Sequence, residues 1–326
     1  MTFRKSIVLA YITLAWVPAA AEEPSGALSI IWENDIFYNS DRDYTNGAEI
    51  TYVTPPSGNN ATIVALARAL PFFADKGDVR TSYSLGQDIF TPEHTTLAVP
   101  LATERPYAGY TYISLGLMQA NQDRLDQLEL QLGVVGPMAL AKETQFWVHS
   151  IIDDDKPKGW HYQLHNEPAV TLTYERSLKI IPPQSILGVV LDIEPHLGGA
   201  VGTVYDYANA GAMVRLGFNL PDDFGPLRMQ PSLPGSSYFE PQAGFSAYAF
   251  AGVDGRIMAR NIFLDGNTWR DSPSVDKDLF VGDLTLGAAV TFSSLRIAFT
   301  HVFRTREYKT QKSSDQFGAV SLSVRI

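Results

Sequence analysis

Asp126-Gln127-Leu128-Glu129-Leu130-Gln131-Leu132-Gly133-Val134-Val135-Gly136 alternates apolar and polar side chains along most of its length. In an extended strand, Leu128, Leu130, Leu132 and Val134 share one face, while Gln127, Glu129 and Gln131 share the other. The end of the chain repeats the pattern, with Val320, Leu322, Val324 and Ile326 opposite Ser321, Ser323 and Arg325. Segments of about ten residues, apolar on one side and polar on the other, suit a transmembrane antiparallel β-barrel, which sets lipid outside, a polar lumen inside and leaves no open edge. An exported β-sandwich alternates in the same way. A chain that stops on its final strand favours the barrel, and a terminal Ile326 in place of an aromatic residue weighs against it.

Outward from that stretch, strand-like runs recur at 28–34, 45–54, 81–90, 108–118, 169–178, 186–195, 208–219, 244–254, 279–292, 295–304 and 316–326. With 126–136 they make about twelve, so the expected fold is an all-β barrel with short helices in its loops. Residues 60–73 lack period-2 alternation and read as a short amphipathic helix in a turn-side insertion. If the amino terminus is periplasmic, the odd-to-even connections at 35–44, 91–107, 137–168, 196–207, 255–278 and 305–315 are extracellular. The remaining turns include a tight one at Ser293-Ser294, although 55–80 and 220–243 are long for periplasmic turns.

Arg4 and Lys5, an apolar run from Ile7 to Val17, and Ala19-Ala20-Ala21 form an export signal, so residues 1–21 are expected to be removed and 22–326 to form one barrel domain. The apolar run is too short to span a membrane as a helix, and no later stretch is long enough, which argues against a helical membrane protein, so export leads to the periplasm, the exterior or the outer membrane. Composition agrees: 11% of residues are aromatic, 18% are charged, and there are 25 Gly and no Cys. No disulfide scaffold or thiolate metal site can form. The formal charge is −10, or −12 once Arg4 and Lys5 are gone, which argues against nucleic acid as a partner. It also excludes a purely electrostatic grip on an anionic lipid unless a divalent cation or a local basic cluster compensates.

Two stretches carry candidate chemistry. Trp32-Glu33-Asn34-Asp35 to Asp43-Tyr44-Thr45-Asn46-Gly47 places a carboxylate and amides at one hairpin rim, where side-chain oxygens suit a hard cation such as calcium. The bland reading is a solvated turn. After Pro137, residues 138–152 can form a helix that sets Gln145 and His149 one turn apart on one face. A neutral His can act as a general base, with Asp155 available to orient it, although a surface His is more often structural. No G-x-S-x-G elbow, H-E-x-x-H helix or phosphate-cradling loop is present.

Glu33-Asn34-Asp35 through Asp43-Tyr44-Thr45-Asn46-Gly47, Gly86-Gln87-Asp88-Ile89-Phe90-Thr91-Pro92, Arg105-Pro106-Tyr107-Ala108-Gly109, and Gly136-Pro137 through Gln145, His149 and Pro157-Lys158-Gly159-Trp160 together resemble the outer-membrane lipid A 3′-O-deacylase family, the LpxR type. The resemblance is densest between residues 28 and 168. It implies a twelve-stranded barrel that removes the 3′ acyloxyacyl group of lipid A with calcium, at a site on the extracellular side between lumen and outer leaflet. It makes His149 the base that activates water, Gln145 a neighbouring polar residue, and Asp155 the counterpart of a family acidic residue. Asn34 and Asp35 fall in the calcium and oxyanion region, alone or with backbone oxygens and Asp41 or Asp43, and Thr45 lines the same pocket. The implied partners are lipopolysaccharide as substrate and the surrounding outer-membrane lipid, with a monomer expected. One departure stands out: a lysine that relatives carry after the third strand has no counterpart in 92–100, and Arg105 is the nearest basic residue. A barrel esterase for another lipid such as phospholipid, or a non-catalytic barrel, remains the alternative.

Overall fold

The computed structural model describes residues 25–35, 43–56, 60–73, 76–153, 155–186, 188–229, 238–240 and 244–326. The expected leader, Asp41 and Asp154 lie outside the described residues. Thirteen strands follow in order: β1 (Ala27–Asn34), β2 (Asp43–Val53), β3 (Asp78–Thr91), β4 (Ala108–Ala120), β5 (Arg124–Val135), β6 (Glu167–Leu178), β7 (Ile181–Ile186), β8 (Val189–Gly202), β9 (Tyr205–Phe218), β10 (Phe245–Asn261), β11 (Phe280–Phe292), β12 (Leu295–Arg304) and β13 (Asp315–Arg325).

Neighbours in sequence pair antiparallel around a ring, and β1 closes it on β13 from Ala27 with Arg325 to Asn34 with Gly318. Between β6 and β9 the wall has one extra piece. β6 pairs with β8 from Thr171 with Gly202 to Ser177 with His196, and β7 then continues along the lower part of β8 from Ile181 with Ile193. The register slips between Ile181 and Gln184, where Pro182 and Pro183 cannot donate ladder hydrogen bonds. β6 and β7 thus act as one interrupted strand, and the closed barrel has twelve.

The faces follow the alternation. Leu132 pairs with Ile113 and Leu130 with Leu115, and Ile113, Leu115 and Leu132 stand exposed on the outer surface. Ile30, Ile50, Leu85, Leu172, Leu216, Leu286, Ile297 and Val320 extend the same apolar belt. Leu and Ile presented to the surroundings in such a belt are stabilised by hydrocarbon, which is the environment of an outer-membrane barrel. Gln131, Ser29 and Ser323 point the other way, and Ser29 Oγ donates to Ser323 Oγ across the seam at 2.9 Å.

Two expected loops prove shorter than 196–207 and 255–278. β8 runs to Gly202 and β10 to Asn261, because His196, Asn209 and Asp254 are polar residues of the lumen rather than of a loop: His196 Nε2 and Asn209 Nδ2 each lie 3.0 Å from Asp254 Oδ2. The helix expected at 60–73 forms as α1 (Ala61–Ala69), capped by the Asn60 side chain.

In the turn between β9 and β10, Asp223 and residues 227–229 lie inside the bore. Asp223 joins Arg215 Nη1 and Arg296 Nη1 at 2.6 Å each, and all three side chains are fully buried. Farther in, Arg228 reaches Glu33 at 3.4 Å, and Leu227 and Met229 pack with Ile31 and Ala319. At the opposite rim, Tyr44, Phe90, Tyr110, Tyr205 and Phe317 close around Phe263 of a one-turn helix at Ile262–Asp265, with Phe263 stacked on Phe90 at 4.0 Å.

Candidate active site on the outer wall

Strand parity turns the opening hairpin outward at its rim. Ile30 and Trp32 of β1 are exposed, and Asn34 takes the same side, opposite Asn46 of β2. Asn46 Oδ1 accepts from Trp32 Nε1 at 2.6 Å and from Asn34 Nδ2 at 3.1 Å. A β-bulge between Tyr44 and Asn46 adds Thr45 as an extra residue. Tyr44 therefore returns to the interior, 3.2 Å from Asp88, while Thr45 lies 2.7 Å from Thr91 Oγ1. Thr91 has the parity of Tyr83 and Leu85, which are exposed, so the Thr45–Thr91 pair stands on the outer side of the barrel.

Ile89 and Thr91 are nevertheless buried, because a helix, α2 (Ala141–Ile152), lies against this part of the wall. A short 3-10 turn at Pro137–Ala139 aims it there, and Gln87 Nε2 and Thr111 Oγ1 donate to Ala139 O at 2.6 and 2.8 Å. At Gly109 a Cβ atom would lie 2.3 Å from Ala141 Cβ, so only glycine lets the helix rest on the strand backbone. Ala141, Gln145 and His149 form its buried stripe, at the four-residue spacing that aligns one helix face. Ile89, Tyr107, Ala141 and Trp160 make the apolar floor.

The two polar members of that stripe are held in place. Trp160 Nε1 donates to Gln145 Oε1 at 2.8 Å. Asp153 ends the helix in the left-handed conformation at φ 58°, which reverses the chain and brings the main-chain carbonyl of Asp155 to 2.6 Å from His149 Nδ1. A carbonyl only accepts, so Nδ1 carries the proton and Nε2 holds the lone pair when the ring is neutral. The backbone of Asp155 thus reaches His149, and its side chain belongs to an exposed residue.

Asp35 follows Asn34 at the top of β1 and is 1% exposed. A carboxylate this deeply buried keeps its charge only with donors or a cation beside it. Carboxylate and amide oxygens such as those of Asp35 and Asn34 are of the kind that calcium takes. Asp43 is turned elsewhere: it accepts from Tyr308 Oη and Gln311 Nε2, each at 3.1 Å. Arg105 joins this interior group, 3.1 Å from Glu307 and over the Phe90 ring at 4.7 Å. Burial disfavours its charge, but Glu307 and Asp43 outweigh that and raise its pKa above the ordinary value. Arg105 is therefore a packing residue of the closed rim and not a basic group of the outer wall. Among the described residues, three His or carboxylate ligand atoms converge within 4.8 Å at Glu93, His94 and Glu104, in the loop before β4.

Asn46, Thr91 and Trp160 join the site without having been singled out from sequence. Their roles depend on partners in other strands or a distant loop, and only the quoted motifs that contain them gave a signal.

A closed antiparallel barrel with an apolar belt, carrying a helix against its outer wall, defines an outer-membrane β-barrel protein. The chain belongs to the LpxR family: the family model described as "Outer membrane protein LpxR" matches residues 7–326. Among solved structures it is similar to LpxR from Salmonella typhimurium, with 23% identity, a TM-score of 0.74, and coverage of 92% of this chain and 100% of that one. That likeness establishes the twelve-stranded fold. The β domain of the Bordetella autotransporter BrkA is more distant, at 8% identity and a TM-score of 0.44, with 93% and 100% coverage. No curated protein matches the chain.

Proposed function

We propose that this protein is a calcium-dependent lipid A 3′-O-deacylase of the outer leaflet, with water activated by His149 as the nucleophile. The observation that carries the reading is the His149 contact: Nδ1–H donates to the Asp155 carbonyl, which leaves Nε2 as a base on the helix face turned to the wall. Membership of the LpxR family supports a lipid substrate.

In this reading Nε2 removes a proton from water, and the resulting hydroxide attacks the carbonyl carbon of the 3′ ester. The tetrahedral intermediate expels the sugar oxygen, which takes the proton from the imidazolium, so acid and alcohol leave with atoms balanced. Gln145, fixed by Trp160, is placed to orient the water or the ester. Asn34 and Thr45 face the acyl group from the hairpin side. Asp35 and Asn34 would hold calcium, which when bound supplies positive charge where the carbonyl oxygen becomes negative. The filled bore gives a pore reading no support.

Mass spectrometry of lipid A from cells expressing the protein tests the proposal. The expected product lacks the 3′ acyloxyacyl group, and its formation stops on calcium chelation or in a His149→Ala variant. Release of fatty acid from phospholipid, with lipopolysaccharide untouched, would instead identify a different barrel esterase.

A further inference from the structure

The flank of α2 next to the buried stripe borders a groove of about 640 Å³ lined by Lys142, Phe146, Lys156, Lys158, Trp160 and His165, among others. That volume falls within the usual range for small-molecule sites. In a chain of formal charge −10, three lysines line one groove. Lys142 Nζ and Lys156 Nζ approach the same Phe146 ring at 5.5 and 5.7 Å. Lys179, Lys277 and Lys312 each lie within 3.1 Å of a carboxylate, and Lys309 also pairs with one. The three groove lysines have no such ion pair among the described residues. Like charges brought together repel, and a bound anion lowers that cost.

Two further features say where the anion comes from. The far side of the helix presents Leu140, Trp147 and Ile151, with Met138 just before it, at 58–66% exposure. An apolar face with a Trp, lying along a barrel wall, belongs in the membrane interface, which puts the groove at headgroup depth. Trp160 lines the groove and also donates to Gln145, so the groove floor adjoins the proposed catalytic stripe.

We infer that Lys142, Lys156 and Lys158 bind a phosphate monoester carried on the sugar headgroup of an outer-leaflet glycolipid, the substrate in the reading above, on which this inference rests. Lysine meets phosphate as a mobile point charge, which suits a headgroup entering sideways. The protein would then capture an anionic lipid despite its own negative charge.

The test measures binding of fluorescent lipid A, with its phosphates or stripped of them, to detergent-solubilised protein carrying His149→Ala to block turnover. The K142Q/K156Q/K158Q variant should lose on the order of 10- to 100-fold in affinity for the phosphorylated lipid. The stripped lipid should bind equally to both proteins, and K142R/K156R/K158R should restore most of the loss, which rules out misfolding. Equal affinity of the Gln variant for the phosphorylated lipid, or an equal drop for both lipids, would overturn the inference. Acyl release by protein retaining His149 is scored separately. Its absence sinks the deacylase reading, whereas the phosphate dependence of binding still decides this one.

Discussion

His149 Nδ1 and the main-chain carbonyl of Asp155 lie 2.6 Å apart, so the orientation of the imidazole is set by the backbone six residues downstream. Substitutions should respond accordingly. His149→Ala is expected to lower deacylation by roughly 10²- to 10⁴-fold, the usual range for losing a general base. Asp155→Ala keeps the carbonyl and should retain at least about tenfold more activity than His149→Ala. Initial rates of fatty-acid release from both variants check this, and equal losses would make the Asp155 carboxylate the essential group.

Gly109 is the point where the helix meets the wall. Gly109→Val would drive a side chain into Ala141, already 2.3 Å from the position of a Cβ there. We expect the barrel to form normally, judged by heat-modifiable migration in a gel, while acyl release falls sharply. A fully active Gly109→Val protein would show that α2 need not sit against β4.

How far the sequence foretold these features differs between wall and site. The Leu128, Leu130, Leu132 and Val134 alternation predicted the lipid-facing side of β5, because a strand that separates hydrocarbon from polar residues records both environments in alternate positions. Gln145 and His149 shared a helix face as their spacing required. The content of the bore was not legible. Asp223 and Arg228 sit in what reads as a polar turn, and only their partners Arg215, Arg296 and Glu33, from distant strands, reveal that they are buried. The outward turn of Thr45 was hidden for another reason: one extra residue in β2 reverses parity, and its partner Thr91 comes from the next strand.

Trp160→Phe should loosen the catalytic stripe. It removes one hydrogen bond to Gln145 Oε1, a loss of about 0.5–1.5 kcal/mol locally. Limited trypsin digestion reports it, since the cleavable Lys142 and Lys158 flank the affected region. Faster cleavage there, with the rest of the barrel resistant, is the expected outcome, and an unchanged pattern would count against the bond.

Inside the bore, Asp223→Ala leaves the fully buried Arg296 without its carboxylate partner at 2.6 Å. Breaking one side of a buried ion pair typically costs about 3–5 kcal/mol. The urea midpoint for unfolding in detergent should fall by a corresponding amount. A midpoint equal to the parent's would mean that water reaches Arg296.

Calcium removal is expected to abolish acyl release, and Asp35→Asn to weaken the response to added calcium, because the substitution removes a charge at a site 1% exposed. A calcium titration of activity, parent against variant, measures the shift. Identical titration curves would place the cation elsewhere, with the Glu93, His94 and Glu104 group as the other candidate.

The outward setting of Asn34, Thr45 and α2 also changes what concentration means for this protein. A lipid whose chains stay in the leaflet arrives by lateral diffusion, so its abundance counts per unit area and not per litre. Turnover should therefore follow the mole fraction of substrate in the surrounding bilayer. Diluting that bilayer with inert lipid should slow the reaction even when the total amounts of protein and substrate are unchanged.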